Sequence, residues 1–263
     1  MILRSLQAEV ASGNNAFLPA WDAVLRTQKQ QFSECWMITQ PSHAALSGEL
    51  AAKLSSPQIL RPDDSILHAI ALHDAGWGLP DAQAIMASRS MQMRQPQSFV
   101  DLGAPEVVSA WVRSIEVALS VSPAGGYIVS RHFWRIASHR LATTNDSESD
   151  RSVLQSYLDS ESARQKKLAA AQSLSTKDLE LLTDGLQFCD LLSLYLCCGA
   201  QDKVVFPEFA GMALRITPNG PGYKLEPELI APGTEFRVAA LRHPATKEVS
   251  SQEIALRIVV PPR

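Results

Sequence analysis

The chain has 263 residues, of which 46% are hydrophobic and 19% charged, with a net charge of −3. That composition supports a buried core rather than disorder, and the slightly acidic balance excludes a broad nucleic-acid surface. No apolar run reaches the roughly 18–20 residues that a membrane helix needs, and the four cysteines form no CxxC pair, so a soluble, reduced, cytoplasmic protein without thiolate zinc is expected.

In chain order, residues 1–6 form a short apolar run that could pair with strands elsewhere. Residues 41–54 read as a helix with Pro41 in its first turn. A second helix is predicted over 64–75, introduced by Pro62-Asp63 and stopped by Gly76. The connection 78–105 has little periodicity and carries Arg89, Arg94 and three methionines, which fits either a substrate lid or a surface excursion that packs on itself. Helices follow over 106–121 and 126–141, then a polar, exposed helix over 148–171. The last helix spans 176–198, with Ser175 and Asp178 forming an approximate capping box. Beyond residue 200 the pattern changes to short β-type runs at 212–217, 223–229, 235–241 and 253–260, separated by turn signals. The expectation is a mainly α chain, with a helical region over 1–200 and a small antiparallel β appendage over 201–263, to which the N-terminal run could add a strand.

Function is read from polar residues on apolar helix faces. Positions three, four and seven apart share a face. Asp190 falls within an inward stripe formed by Leu179, Leu182, Leu186, Ser193, Leu194 and Cys197. A carboxylate there costs several kcal/mol unless it is paired with a cation or protonated. His73 shares a face with Ile66 and Ile70, and Asp74 follows directly; His43 aligns with Leu46 and Leu50; His132 and His139 align with Ile128 and Ile136. One divalent cation would resolve these burial costs together, taking neutral imidazoles and charged carboxylates as ligands. The alternatives are ordinary. A single core histidine usually hydrogen-bonds to protein, and Asp190 could pair with Arg131 or Arg135. His68 lies off the His73 face, His139 is either a further ligand or a surface group, and His243, before a proline, reads as solvated.

The order of these residues resembles the HD superfamily of metal-dependent phosphohydrolases, whose signature is H…HD…D on separate helices. It appears here as QPSHAALSGELA around His43, AIALHDAGWG around His73-Asp74 and LQFCDLLSLYLC around Asp190. The chain looks closest to a bacterial family of uncharacterised HD-like proteins that share an HAxLSG-type helix, an LHDxGW turn, a PxxF loop (Pro96–Phe99 here), an S-x-HF helix (Ser130–Phe133) and a Q-x-x-D-x-LSLYLC helix. The resemblance covers roughly residues 36–200. It implies an HD-domain-like helical bundle in which His43, His73, Asp74 and Asp190 hold one metal, with His132 the candidate for a second. Hydrolysis of a small phosphoester is the leading expectation, in which Asp74 could guide the attacking water and Arg131, Arg89 or Arg94 could neutralise the phosphate, the alternative for the arginines being solvent-exposed charge. The ion would be Fe, Mn, Ni, Zn or Mg. The lysine that many hydrolytic members carry after the HD pair is missing; Trp77 stands in that region, as a pocket wall or as core. Two rivals follow: a di-iron oxygenase of a small organic molecule, using His132 and His139, and a non-catalytic metal- or ligand-binding module.

Overall fold

A computed structural model describes residues 1–6, 16–90, 96–245 and 251–258, the side chains of Arg89 and Ser90 excepted. The elements are β1 (Ile2–Ser5), β2 (Leu18–Pro19), α1 (Ala20–Gln28), β3 (Cys35–Ile38), α2 (Gln40–Lys53), α3 (Asp64–Ala71), α4 (Gly78–Ser90), α5 (Ala104–Val121), α6 (Pro123–Thr143), α7 (Glu148–Ala170), α8 (Thr176–Cys198), β4 (Val204–Val205), β5 (Arg215–Asn219), β6 (Gly222–Glu226), β7 (Glu235–His243) and β8 (Ser251–Arg257). Short 3-10 turns lie at Ala75–Trp77 and Phe99–Asp101.

The strands form two four-stranded sheets, ordered β1-β3-β7-β8 and β2-β4-β5-β6. The first is antiparallel throughout, with Ile2 opposite Ile38, Cys35 opposite His243 and Phe236 opposite Leu256. In the second, β2 runs parallel to β4 and the other pairs are antiparallel. This overturns the expected helical bundle with a small β appendage: the chain is α/β. Strands from the first 38 residues enter both sheets. They are two to four residues long, too short to show a period; β2 and β3 pair with β4 and β7, some 200 residues away, and β1, among the described residues, pairs with β3 alone. The N-terminal run does share a sheet with β7 and β8, but β3 separates them. Each expected run of the tail overlaps a strand, and on β7 and β8 the burial of Phe236, Val238, Ala240, Ile254 and Leu256 follows the two-residue period.

The helices begin where local chemistry dictates. Thr39 caps α2 through Ser42 N, Asp63 caps α3 through Ile66 N, and Ser175 caps α8 through Asp178 N. Helix α3 ends at Ala71, before the expected stop, and Gly76 has another purpose. A Cβ on it would sit 2.1 Å from Ala110 O. Instead Gly76 N donates to Ser114 Oγ and its carbonyl accepts from Arg113 Nε, which clamps the turn after Asp74 onto α5. Gly48 does the same between α2 and α3, where a Cβ would lie 2.6 Å from that of Ala71.

Helix α8 runs through the core, with Leu186, Leu192, Leu196 and Tyr195 buried and Tyr195 Oη donating to Asp202 O. It is long and apolar enough to cross a membrane by composition, but 67% of its apolar window is buried inside the protein. Around it pack α1, α2 and α6, and α6 also contacts α3, α5 and α7. Helix α7, expected to be exposed, buries Leu154, Tyr157, Leu158, Glu161 and Gln165 along one face against α5 and α6. Half of the supposed connection after Gly78 is also regular, forming α4.

Candidate metal centre

Four of the residues expected as ligands converge. His43 comes from α2, His73 and Asp74 from the turn that closes α3, and Asp190 from the middle of α8. Each offers a ligand atom, and these atoms lie within 4.8 Å of one another. His43 and His73 are fully buried, and Asp74 and Asp190 nearly so. The close crossing at Gly48 brings α3 against α2, and the Gly76 clamp holds the turn that carries Asp74.

The hydrogen bonds determine which nitrogen of each ring faces inward. His73 Nδ1 lies 2.8 Å from Ile70 O, which can only accept, so Nδ1 carries the proton. His43 Nδ1 lies 2.8 Å from Ser193 Oγ. The Ser193 hydroxyl hydrogen goes to Asp190 O and Ser47 Oγ donates to Ser193 Oγ, so Ser193 Oγ accepts from His43 Nδ1–H. Both rings therefore turn Nε2 towards the carboxylates, the orientation that outer partners impose on metal-binding histidines. His43 Nε2 is 2.8 Å from Asp74 Oδ2, and His73 Nε2 is 3.2 Å from Asp190 Oδ1. The crossed distances are 3.9 Å from His43 to Asp190 and 3.8 Å from His73 to Asp74.

A lone pair and a carboxylate oxygen do not approach this closely without a proton or a cation between them. Among the described residues no Lys or Arg is within ion-pair distance of Asp74 or Asp190; their charged partners are imidazoles. Burial pulls the His73 imidazole down, yet Asp74 and Asp190 outweigh it and hold it up at about 9. Burial pushes Asp190 up, and the His73 hydrogen bond with the nearby imidazoles brings it down to about 2. A divalent ion meets the same demand. For metal–ligand bonds of about 2.1 Å, neighbouring donors lie roughly 3.0–3.4 Å apart, and the four separations bracket that interval. These residues form a buried group fit to hold a metal ion.

His132 stands beside this group. Its Nε2 is 3.7 Å from Asp190 Oδ2, and its ring meets His73 edge-on with centroids 5.6 Å apart. Its Nδ1 is buried without a hydrogen-bond partner. Burial, the main cause, lowers its pKa to about 4.

Other expected site residues stand apart from this group. Trp77 is buried among core residues. Arg131 donates to Glu180 from Nε at 3.0 Å and lies over the Trp134 ring, so a phosphate would have to displace Glu180 to use it. Arg135 is likewise engaged, by Glu180 and Asp184, so neither arginine pairs with Asp190. The Arg89 side chain and the whole of Arg94 lie outside the described residues. His68 and His139 are exposed and outside the group. His243, expected to be solvated, is buried in β7, and that burial lowers its pKa. Sequence reasoning passed over Ser47 and Ser193 as orienting groups. Their signal was a hydroxyl four residues after His43 and another three after Asp190.

No curated protein and no solved structure matches the chain. The profile of the family described as protein of unknown function (DUF3891) matches residues 25–242, which include all four converging residues. The chain belongs to that family.

Proposed function

We propose that the protein is a metal-dependent hydrolase of the HD type acting on a phosphoester of a small molecule, with one divalent ion (Fe, Mn, Ni, Zn or Mg) held by His43, His73, Asp74 and Asp190. The observation that carries the metal half is the pair of inward-facing Nε2 atoms, each against a carboxylate oxygen, with both Nδ1 atoms already committed outward. The phosphoester half rests on the resemblance of the three sequence segments. A bound divalent ion supplies a Lewis acid for a phosphoryl oxygen and lowers the pKa of a water. The protein's own part is orientation. Ser193 and Ile70 O fix the two rings. Asp74 Oδ2 faces His43, and its other oxygen, without a protein partner among the described residues, is available to guide the attacking water.

A second reading, a dinuclear oxygenase of a small organic molecule, is favoured by His132. Its Nε2 faces the Asp190 oxygen not used by His73, so His132 and Asp190 would be the residues to hold a second ion. Elemental analysis of anaerobically purified protein, with a phosphoester panel and oxygen-uptake measurements, tests both. One ion per chain with phosphoester turnover supports the hydrolase. Two irons with oxygen uptake supports the oxygenase. Metal with neither activity makes the protein a binding module, and absence of metal under every condition overturns the centre itself.

A further inference from the structure

We propose a second ligand site, separate from the metal centre, that binds a small amphipathic anion with an apolar body and one acidic head group. A cavity of about 370 Å³ lies between the C-terminal end of α2, the loop after it, α3, the first half of α8 and residues 209–210. This lies in the roughly 300–1,000 Å³ range of small-molecule sites. Its apolar wall includes Leu54, Ile59, Leu67, Ile70, Leu182 and Phe209.

Two independent observations point to an occupant and its charge. The first is the pair of cations on the wall. Lys53 and Arg61 are exposed and, among the described residues, neither has an ion pair or a side-chain hydrogen bond. The one acid on the wall, Asp184, is bound to Arg135 at 2.6 Å. The cavity therefore presents uncompensated positive charge beside an apolar interior. The second observation is Gly185, which lines the cavity from within α8. Glycine is a poor residue for a helix interior, and nothing in the packing requires it, because a Cβ there would meet no atom within 4 Å. A side chain at 185 would grow into free space beside the wall; its omission keeps that volume open. At Gly48 and Gly76, by contrast, neighbouring atoms exclude a Cβ.

The site does not rest on the proposed chemistry. Ile70 joins the two regions: it lines the cavity, and its carbonyl accepts from His73 Nδ1.

Calorimetric titration of the full chain with decanoate, below its micelle-forming concentration, tests the proposal, with decyltrimethylammonium as the cationic counterpart. Decanoate is expected to bind at least tenfold more tightly than the cation. The double variant Lys53→Gln, Arg61→Gln is expected to weaken decanoate at least tenfold, and Gly185→Leu to abolish binding while helical circular dichroism and metal content stay at the native level. Failure of decanoate to bind the native chain, equal affinity for the two detergents, or undiminished binding to the double variant would each overturn the site. The double variant changes exposed side chains only, so the test stands even where Gly185→Leu disturbs folding.

Discussion

Helix α8 meets α6 in two places, and the two treat acidic side chains in opposite ways. In its first half, Glu180 and Asp184 face Arg131 and Arg135, so each carboxylate has a guanidinium from the neighbouring helix. Two turns later Asp190 faces His73, His132 and His43, and with Asp74 it makes two carboxylates among imidazoles with, among the described residues, no Lys or Arg in ion-pair range. The first arrangement is complete with protein groups alone. The second leaves a need for positive charge that only protons or an added cation can meet, and it lies deeper, where that need is most costly. Arginines thus hold the helices together at one end, while the other end keeps its donors turned inward.

The largest expected effect breaks that contrast directly. Asp190→Ala and His73→Ala should each bring bound metal to background by elemental analysis, whereas Glu180→Ala and His68→Ala should retain the native amount. Equal metal content in all four would remove the proposed ligand set.

The next effect is in pH. With chelator present, His73 keeps its proton because the carboxylates hold it at about 9, above the ordinary histidine value of about 6.5. Such a group gives its full stabilisation below about 6.5 and loses it as pH rises through about 9. The metal-free protein is therefore expected to unfold more readily at pH 9 than at pH 6. Metal binding must displace that proton, so affinity should rise roughly tenfold per unit between pH 7 and 9. Glu180 behaves otherwise. Burial raises its pKa, but Arg135 and Arg131 bring it below the usual carboxylate value, so its contribution is already complete at pH 6. Paired thermal melts and competition titrations across this range would show both trends; a flat metal affinity would contradict the inward-facing Nε2 atoms.

A smaller effect sharpens the account of the outer partners. Ser193→Ala removes the acceptor for His43 Nδ1–H without touching a ligand. Loss of such a partner typically weakens metal binding by about 10–100-fold. Titration against a chelator of known affinity measures it, and His43 should then bind with a less defined ring orientation. Unchanged affinity would mean that packing alone orients the ring.

The four converging residues were legible in the sequence because a carboxylate in an apolar stripe has few physical explanations. Helix α8 was equally legible: its bounds, Thr176–Cys198, are those expected from the Ser175 cap and the apolar run, and the structure adds Gly199 at φ 71° as its C-cap. Ser47 and Ser193 were not, since a small hydroxyl on a buried face looks like packing until its partners are seen. Strand β3 is four residues held by β1 and β7, and nothing local marks it. Helix α4 lacks an apolar face; Leu79 and Met86 are exposed while Asp81 and Ser88 are buried, so the period that announces a helix is absent. Helix α7 hid its inner face for a related reason, because Glu161 and Gln165 occupy positions where apolar residues are expected. They are satisfied there by Ser130, and Glu161 by Arg164 as well.

The smallest effect completes the comparison from the other side. Glu180→Ala removes the carboxylate that receives Arg131 and one of the two that receive Arg135. The pair is partly exposed and Asp184 remains, so the loss should be modest, about 1 kcal/mol in denaturant unfolding. Arg131 should then be free to swing from its place over Trp134, which a change in tryptophan fluorescence would report. Because the freed guanidinium lies next to His132 in the chain, Glu180→Ala also probes the phosphate role. If Arg131 assists phosphoester turnover once released, activity rises in the variant while metal content stays constant. If activity is unchanged, the guanidinium is a clamp between α6 and α8 and the phosphate must be met by other groups.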